Sequence, residues 1–242
     1  MDRLLELDNV HKRFGGIVAT DGLSFHVNRG ESLALIGPNG AGKTTIFSLI
    51  MGEIRQNSGS IKLEGREISA LPTHRRIQRG IARTYQVPRP FADMDVAGNI
   101  RVGMMPNSLI QMLTQGPDPE KELAIARSVG FREEDLNRRP SELSMGDLRK
   151  LELARTLATE PRIMLLDEVF AGLTVGEIEQ ISELLANKRK DGLTYVIVSH
   201  DLRALEPLVD RAVAMTFGKA IAEGAYHDVM GDEAVRAAYL GT

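Results

Sequence analysis

Three short stretches of the chain are apolar almost throughout: Leu33-Ala34-Leu35-Ile36, residues 163–166, and TYVIVS at 194–199. A strand without polar alternation is buried on both faces, so these stretches predict the inner strands of a parallel sheet. Residues 3–9 and 17–27 alternate instead, with Gly15-Gly16 between them, and 60–64 is a further short strand candidate between Gly59 and Gly65. Period-two alternation predicts an antiparallel sheet beside the parallel one. Residues 80–85 predict a strand ending at Gln86, and 211–217 and 219–223 predict two more with a turn at Gly218.

Helical spacing fills the intervals. TTIFSLIMG predicts a helix closing near Gly52, and 120–129 another. Leu148, Leu151, Leu153-Ala154 and Leu157-Ala158 give the helix from Ser144 to about Thr159 a broad apolar face. Ser144 and Asp147 have the spacing of a capping box, and Pro161 follows the helix end. Ile178, Ile181, Leu184 and Leu185 mark one face of a helix over 176–190, and the tail over 227–240 is helical in pattern. Residues 87–119 are broken by Pro88, Pro90, Pro106, Pro117 and Pro119 and predict loops with one helix near 95–105. The basic stretch THRRIQRG at 73–80 predicts a turn or short helix with a solvated charged face, and 132–140 a polar connection.

Composition narrows the class. The chain has 242 residues with a net charge of -3, which suits one large domain and gives no support for bulk nucleic-acid binding. It has no cysteine, so disulfides and thiolate metal sites are excluded. MDRLLELDNV carries acidic residues and no apolar signal core, and no apolar run approaches a membrane span, so any role at a membrane needs a spanning partner.

The candidate chemistry begins where the first buried strand ends. Gly37-Pro38-Asn39-Gly40-Ala41-Gly42-Lys43-Thr44-Thr45 fits a phosphate-binding loop between a strand and a helix. Glycines leave backbone N–H groups free to face a polyphosphate, and the helix N-terminus adds positive potential. Lys43 would neutralise phosphates, and the Thr44 hydroxyl would bind Mg²⁺. Asp167-Glu168 closes the second buried strand, at the sheet edge where α/β proteins hold ligands. Asp167 can hold Mg²⁺ through its outer shell, and Glu168 can polarise a water. His200 falls at the same edge. Phe14, just before the Gly pair, either packs in the core or a turn or stacks on a purine; the residues leave both readings open.

With these residues in place, the chain resembles the ATP-binding subunits of ABC transporters over essentially its full length. GPNGAGKTT matches the phosphate loop, RTYQ places Gln86 as the Q-loop glutamine, and LSMGD at 143–147 resembles the ABC signature. IMLLDE matches the Walker B strand, AGL at 171–173 falls in the D-loop, VSHD makes His200 the H-loop residue, and Phe14 matches the adenine stacker. Within the family, RTYQVPRPFADMDVAGNIRVG and the ending IAEG…AAYLG are similar to LivG-type ATPases of branched-chain amino acid importers, while ATPases for urea uptake and lipopolysaccharide export share the AYLG-like ending.

The resemblance implies an α/β fold: a RecA-like P-loop NTPase core with an antiparallel β subdomain and an α-helical subdomain at about 88–155, all in one cassette over 1–242. It implies an ATPase with ATP and Mg²⁺, with Glu168, His200 and Gln86 at the reaction. Phe14, residues 37–45, Ser144 and Gly146 would bind nucleotide, and Thr44, Gln86 and Asp167 would lie on the metal side. The implied partners are a second ATPase of the LivF type or another copy of this chain, membrane-spanning permease subunits, and indirectly a periplasmic binding protein, with the chain at the cytoplasmic face of the membrane. A soluble ABC clamp acting on DNA or ribosomes is the rival, but no sustained heptad tract is present and only one cassette is encoded. Met145 and Asp147 stand where the signature usually has Gly and Gln, Val169 where Pro follows the glutamate, and Thr174-Val175 where Asn/Asp-Pro is usual; these departures bear on rate and partner choice.

Overall fold

In chain order the strands are β1 Arg3–Phe14, β2 Ile17–Asn28, β3 Ser32–Ile36, β4 Ser58–Leu63, β5 Arg66–Glu67, β6 Ile81–Arg83, β7 Ile163–Asp167, β8 Thr194–Val198, β9 Arg211–Thr216 and β10 Lys219–Ala225. The helices are α1 Lys43–Met51, α2 Thr73–Ile77, α3 Val96–Met104, α4 Pro119–Ser128, α5 Met145–Leu157, α6 Val175–Lys190, α7 Leu202–Leu205, α8 Tyr226–Gly231 and α9 Glu233–Leu240. The structure is a computed structural model and describes residues 2–105, 116 and 118–240. Pro106 and Pro117, named above as helix breakers, and Gly241 of the AAYLG ending lie outside the described residues.

The central sheet runs β10-β9-β3-β8-β7-β6, parallel throughout except for the antiparallel β10 edge. Its strands feed two separate cores by alternation. Ala34, Ile36, Met164, Leu166, Tyr195 and Ile197 face one side, against Leu151 and Leu153 of α5 and Ile181 and Leu185 of α6. Leu33, Leu35, Ile163, Leu165, Val196 and Val198 face the other, against Ile46, Phe47 and Ile50 of α1 and the antiparallel sheet. Both faces are covered, which is why the sequence of these strands is apolar without alternation.

The second sheet is antiparallel, in the order β2-β1-β4-β5. β1 and β2 are longer than the alternation predicted. His11, Lys12 and Arg13 interrupt the hydrophobic pattern, but backbone pairing carries the hairpin through to Phe14↔Ile17. α3, α4 and α5 form a helical layer whose side chains Ile100, Ala126 and Leu151 join the first core. Asp95, Ser144 and Thr174 cap α3, α5 and α6 with their side chains. The 132–140 connection contains a short 3₁₀ turn, Glu133–Asn137, capped by Asp135.

Two expectations are corrected. The charges of 73–80 do not all form a solvated face. His74, Arg75 and Arg79 are exposed, but Arg76 is fully buried. Its guanidinium donates to the carbonyls of Leu49 (2.6 Å), Ile50 (2.9 Å), Ser69 (2.9 Å) and Leu71 (3.0 Å). Two of these are end carbonyls of α1, at the negative end of the helix dipole, and the Leu49 carbonyl also accepts the Gly52 N–H at 3.2 Å. Burial pushes the Arg76 pKa down to about 10, still far above neutrality. Second, the Ser144–Asp147 box is only half formed. Ser144 Oγ accepts the Asp147 N–H at 3.1 Å, but the Asp147 carboxylate turns to Lys150 Nζ at 3.6 Å instead of back to Ser144.

Arg76→Met should destabilise the protein by about 3 kcal/mol, because four buried carbonyls lose a charged donor. Chemical denaturation measures this, and a loss below about 1 kcal/mol would mean that water replaces the guanidinium.

Candidate nucleotide site

The phosphate loop leaves β3 and enters α1 with no side chain at its helix cap. Gly42 is the N-cap, it makes no side-chain cap bond, and the first turn holds no acidic residue. The first N–H groups of α1 are thus left for an anion. The loop's glycines differ in what holds them. A Cβ on Gly37 would strike the Met215 carbonyl and one on Gly42 the Ala19 carbonyl, so neither position admits a side chain. Gly40 needs glycine for its φ of 81°, and its Cβ direction is open. Lys43 is buried and donates to the carbonyls of Gly37 (2.6 Å) and Pro38 (3.1 Å), which curls it over the loop. Burial lowers its pKa, and the nearby charges of Glu168 and Asp167 oppose that shift. Asn39 and Thr44 are exposed, Pro38 and Thr45 half-buried, and Ala41 buried.

Sheet order brings the carboxylates to this loop. β3, β8 and β7 are adjacent and parallel, so their C-terminal ends share one edge. Asp167 ends β7, Glu168 follows it, and Ser199-His200 follows β8. Glu168 takes a left-handed backbone conformation, φ 49°, unusual for a residue with a side chain. Its N–H donates to the Val198 carbonyl at 2.9 Å, and its carboxylate accepts the His200 N–H at 3.2 Å. His200 Nε2 lies 3.2 Å from the other carboxylate oxygen, while the ring itself is exposed. Glu168 and His200 thus form one unit at the sheet edge.

Gln86 is exposed in the loop after β6, and its carbonyl accepts from Arg149 Nη2 at 2.8 Å. Thr44, Asp167 and Gln86 offer a hydroxyl, a carboxylate and an amide. That oxygen donor set suits Mg²⁺, which usually keeps waters and binds substrate phosphates rather than sitting in an all-protein cage. Phe14 is 46% exposed at the tip of the β1–β2 hairpin, with Lys12 Nζ 4.8 Å from its ring centre. It belongs to neither hydrophobic core.

Ser144 and Gly146 sit at the N-terminus of α5, where another partner has met them. Glu177 of α6 accepts the Gly146 N–H at 3.0 Å and lies 3.4 Å from Ser144 Oγ. Its second oxygen accepts from the N–H and hydroxyl of Thr174, both at 2.9 Å, which closes a full capping box on α6. These hydrogen bonds, the Thr174 N–H first, lower the Glu177 pKa.

Sequence reasoning missed four further residues around the site. Tyr239 of α9 accepts the Gly37 N–H at 2.8 Å; burial raises its pKa, with the Glu168 charge adding to the shift. Arg149 and Glu152 form a buried pair on α5, and Arg149 also donates to the Tyr85 carbonyl at 2.7 Å while Glu152 accepts the Tyr85 N–H at 2.9 Å. Glu177 is the fourth. Tyr239 had a sequence signal as part of the AAYLG ending, and Glu177 stands three residues after Thr174, the spacing of a capping box; Arg149 and Glu152 carried none.

Comparison with known proteins places the chain in a family. A family model described as ABC transporter matches residues 20–171, and one described as branched-chain amino acid ATP-binding cassette transporter matches residues 221–242. The chain is 33% identical to the high-affinity branched-chain amino acid transport ATP-binding protein LivG of Salmonella typhimurium, covering 98% of each. It is 35% identical to the lipopolysaccharide export system ATP-binding protein LptB of Haemophilus influenzae, covering 98% of this chain and 97% of that protein. Among solved structures, the ADP conformation of an ATP-binding cassette of an ABC transporter superposes with a TM-score of 0.89 at 29% identity, over 100% of both chains. No helix among the described residues is long and apolar enough to cross a membrane. The phosphate loop, the paired carboxylates at the sheet edge and these full-length similarities together make the chain an ATP-hydrolysing ABC transporter subunit of the branched-chain amino acid (LivG-like) family.

Proposed function

We propose that this cassette powers import of a branched-chain or related amino acid, working at the cytoplasmic face of the membrane. Its expected partners are a second ATPase of the LivF type, or a second copy of itself, and permease subunits that a periplasmic binding protein supplies. The observation that carries the chemistry is the convergence of Lys43, Asp167 and the Glu168–His200 unit on one sheet edge. The full-length similarity to LivG and the C-terminal family match favour the amino acid substrate. The similarity to LptB makes lipopolysaccharide export the second reading.

In this reading the uncapped N–H groups of α1 and Lys43 bind the β- and γ-phosphates, and Phe14 stacks on adenine. Mg²⁺, when bound, supplies charge neutralisation on the phosphates, and Thr44, Asp167 and Gln86 are the residues that would hold it. Glu168 accepts a hydrogen bond from the attacking water, and His200 fixes the orientation of its carboxylate. Residues 88–155 act as a helical subdomain within one cassette over 1–242. It presents Ser144 and Gly146 to the phosphate held by the opposing subunit. A pocket of about 340 Å³, lined in part by Tyr85, Phe91 and Arg155, is the surface we assign to the permease.

Closure of the dimer then requires an exchange at α5. The Gly146 N–H and Ser144 hydroxyl meet Glu177 in the single chain and phosphate in the closed pair. ATP shifts the equilibrium only by its differential contact with the closed state, so a competing carboxylate raises the ATP concentration needed.

Three outcomes follow. Glu168→Gln should retain ATP binding and lower steady-state hydrolysis by roughly a hundredfold or more, as loss of a positioned base does. Hydrolysis near the parent rate would remove Glu168 from the water-orienting role. Phe14→Ala should weaken ATP binding by about 1 kcal/mol, several-fold in Kd, and leave the saturated rate unchanged. Unchanged affinity in a fluorescent-nucleotide titration would count against stacking. Glu177→Ala, combined with Glu168→Gln, should lower the ATP concentration for half-maximal dimer closure, seen by size-exclusion chromatography with the partner ATPase. Thr174→Ala disturbs the α6 cap but leaves the Glu177–Gly146 contact. Equal midpoints in the two variants would reduce Glu177 to a helix cap.

A further inference from the structure

Arg83 ends β6, beside β7 in the sheet, and opens the RTYQ stretch that leads to Gln86. Its side chain is only 4% exposed. Nη2 donates to Oδ2 of Asp167 at 2.6 Å. Nη1 donates to Oε2 of Glu53 at 2.8 Å and to Oγ of Ser48, on α1, at 3.1 Å. The guanidinium lies over the rings of Phe47, 5.7 Å from its centre, and Tyr85, 5.2 Å from its centre. Tyr85 in turn reaches Glu53 Oε1 through its hydroxyl at 3.2 Å. Nε is buried without a hydrogen-bond partner.

This arrangement is a poor way to gain stability. One cation and the Asp167 carboxylate are both almost fully buried, and desolvating such a pair offsets most of their attraction. It is a good way to fix an orientation. Arg83 is the one ion-pair partner of Asp167 among the described residues, and it engages a single oxygen, Oδ2. The neighbouring Thr84 hydroxyl accepts the Asp167 backbone N–H at 3.2 Å, so the last residue of β6 and the one after it hold the side chain and the backbone of Asp167. The Phe47 and Tyr85 rings and the Ser48 hydroxyl prevent the guanidinium from swinging away. The Asp167 carboxylate is thereby held with Oδ1 left for other partners.

We propose that Arg83 is a positioning residue for Mg²⁺–nucleotide binding, acting through Asp167, and that β6 transmits the position of the Gln86 loop to the metal-side carboxylate through this one guanidinium. The inference rests on the assignment of Asp167 to the metal side. Groups that orient a metal-side carboxylate typically contribute tenfold or more to metal affinity, and the same scale is expected here.

The test uses the full chain and reads equilibrium binding of a fluorescent ATP analogue, first in EDTA and then across a Mg²⁺ titration. Arg83→Met should bind nucleotide in EDTA as the parent does, and should need about tenfold more Mg²⁺ for the half-maximal gain in affinity. Arg83→Lys, which keeps the charge on a shorter reach, should fall between them. Glu53→Gln, which removes one of the two carboxylates that fix the guanidinium, should shift the Mg²⁺ midpoint by less than Arg83→Met. Asp167→Asn is the reference. If it shifts the Mg²⁺ midpoint while Arg83→Met and Arg83→Lys do not, Arg83 is a structural ion-pair partner and the proposal fails. If Asp167→Asn itself leaves the midpoint in place, it is the metal-side assignment that fails. Should Arg83→Met not fold, Arg83→Lys and Glu53→Gln decide: parent-like midpoints in both overturn the proposal.

Discussion

Two adjacent carboxylates lie almost out of water at the end of β7, and much of the molecule is arranged to make that tolerable. Asp167 is 4% exposed and Glu168 8%. An unpaired charge so placed would protonate or unfold its surroundings. Here each carboxylate has its own compensation. Arg83 meets Asp167 from the neighbouring strand, the His200 N–H and ring meet Glu168, and Lys43 lies close enough to feel both charges. The compensating groups come from β6, the loop after β8 and the start of α1, so the charges are stable only once the sheet is assembled.

That dependence also separates the buried parts of the site from the exposed ones. The carboxylates sit on the sheet, whereas Gln86 and Phe14 are exposed on the elements around it. Arg149 and Glu152 bridge the two regimes. From inside α5 they hold the backbone of Tyr85 and Gln86, so the helix that carries Ser144 and the loop that carries Gln86 are joined by hydrogen bonds. Burial raises the Glu152 pKa, and the contact with Arg149 works against that rise. Such a pair contributes little net stability but specifies one geometry. Glu177 links α5 to α6 in the same way at the surface.

The inner strands, the antiparallel hairpin and the capped helices could be read because their causes are local. A strand buried on both faces has to be apolar, a phosphate loop has to be glycine-rich, and Ser144 or Thr174 caps its own helix a few residues on. The same locality misled at two places. Ser144 and Asp147 have capping-box spacing, yet Lys150 takes the carboxylate. Arg76 looks like one of several surface charges, yet it closes the end of a helix more than twenty positions earlier in the chain.

The sequence by itself determined the order of chemical parts: phosphate loop, Gln86, signature stretch, Asp167-Glu168 and His200, each at the end of a predictable element. It also determined the family, because those parts are short and contiguous. Only the tertiary structure decided which polar and charged groups face one another. Arg83 and Asp167 are separated by 84 positions, Gly37 and Tyr239 by 202, and Gly146 and Glu177 by 31. No periodicity records such pairs, since an isolated Arg or Glu has the same pattern whether it meets water or a buried carboxylate. The difference appears only when strand order and helix packing remove the water around it.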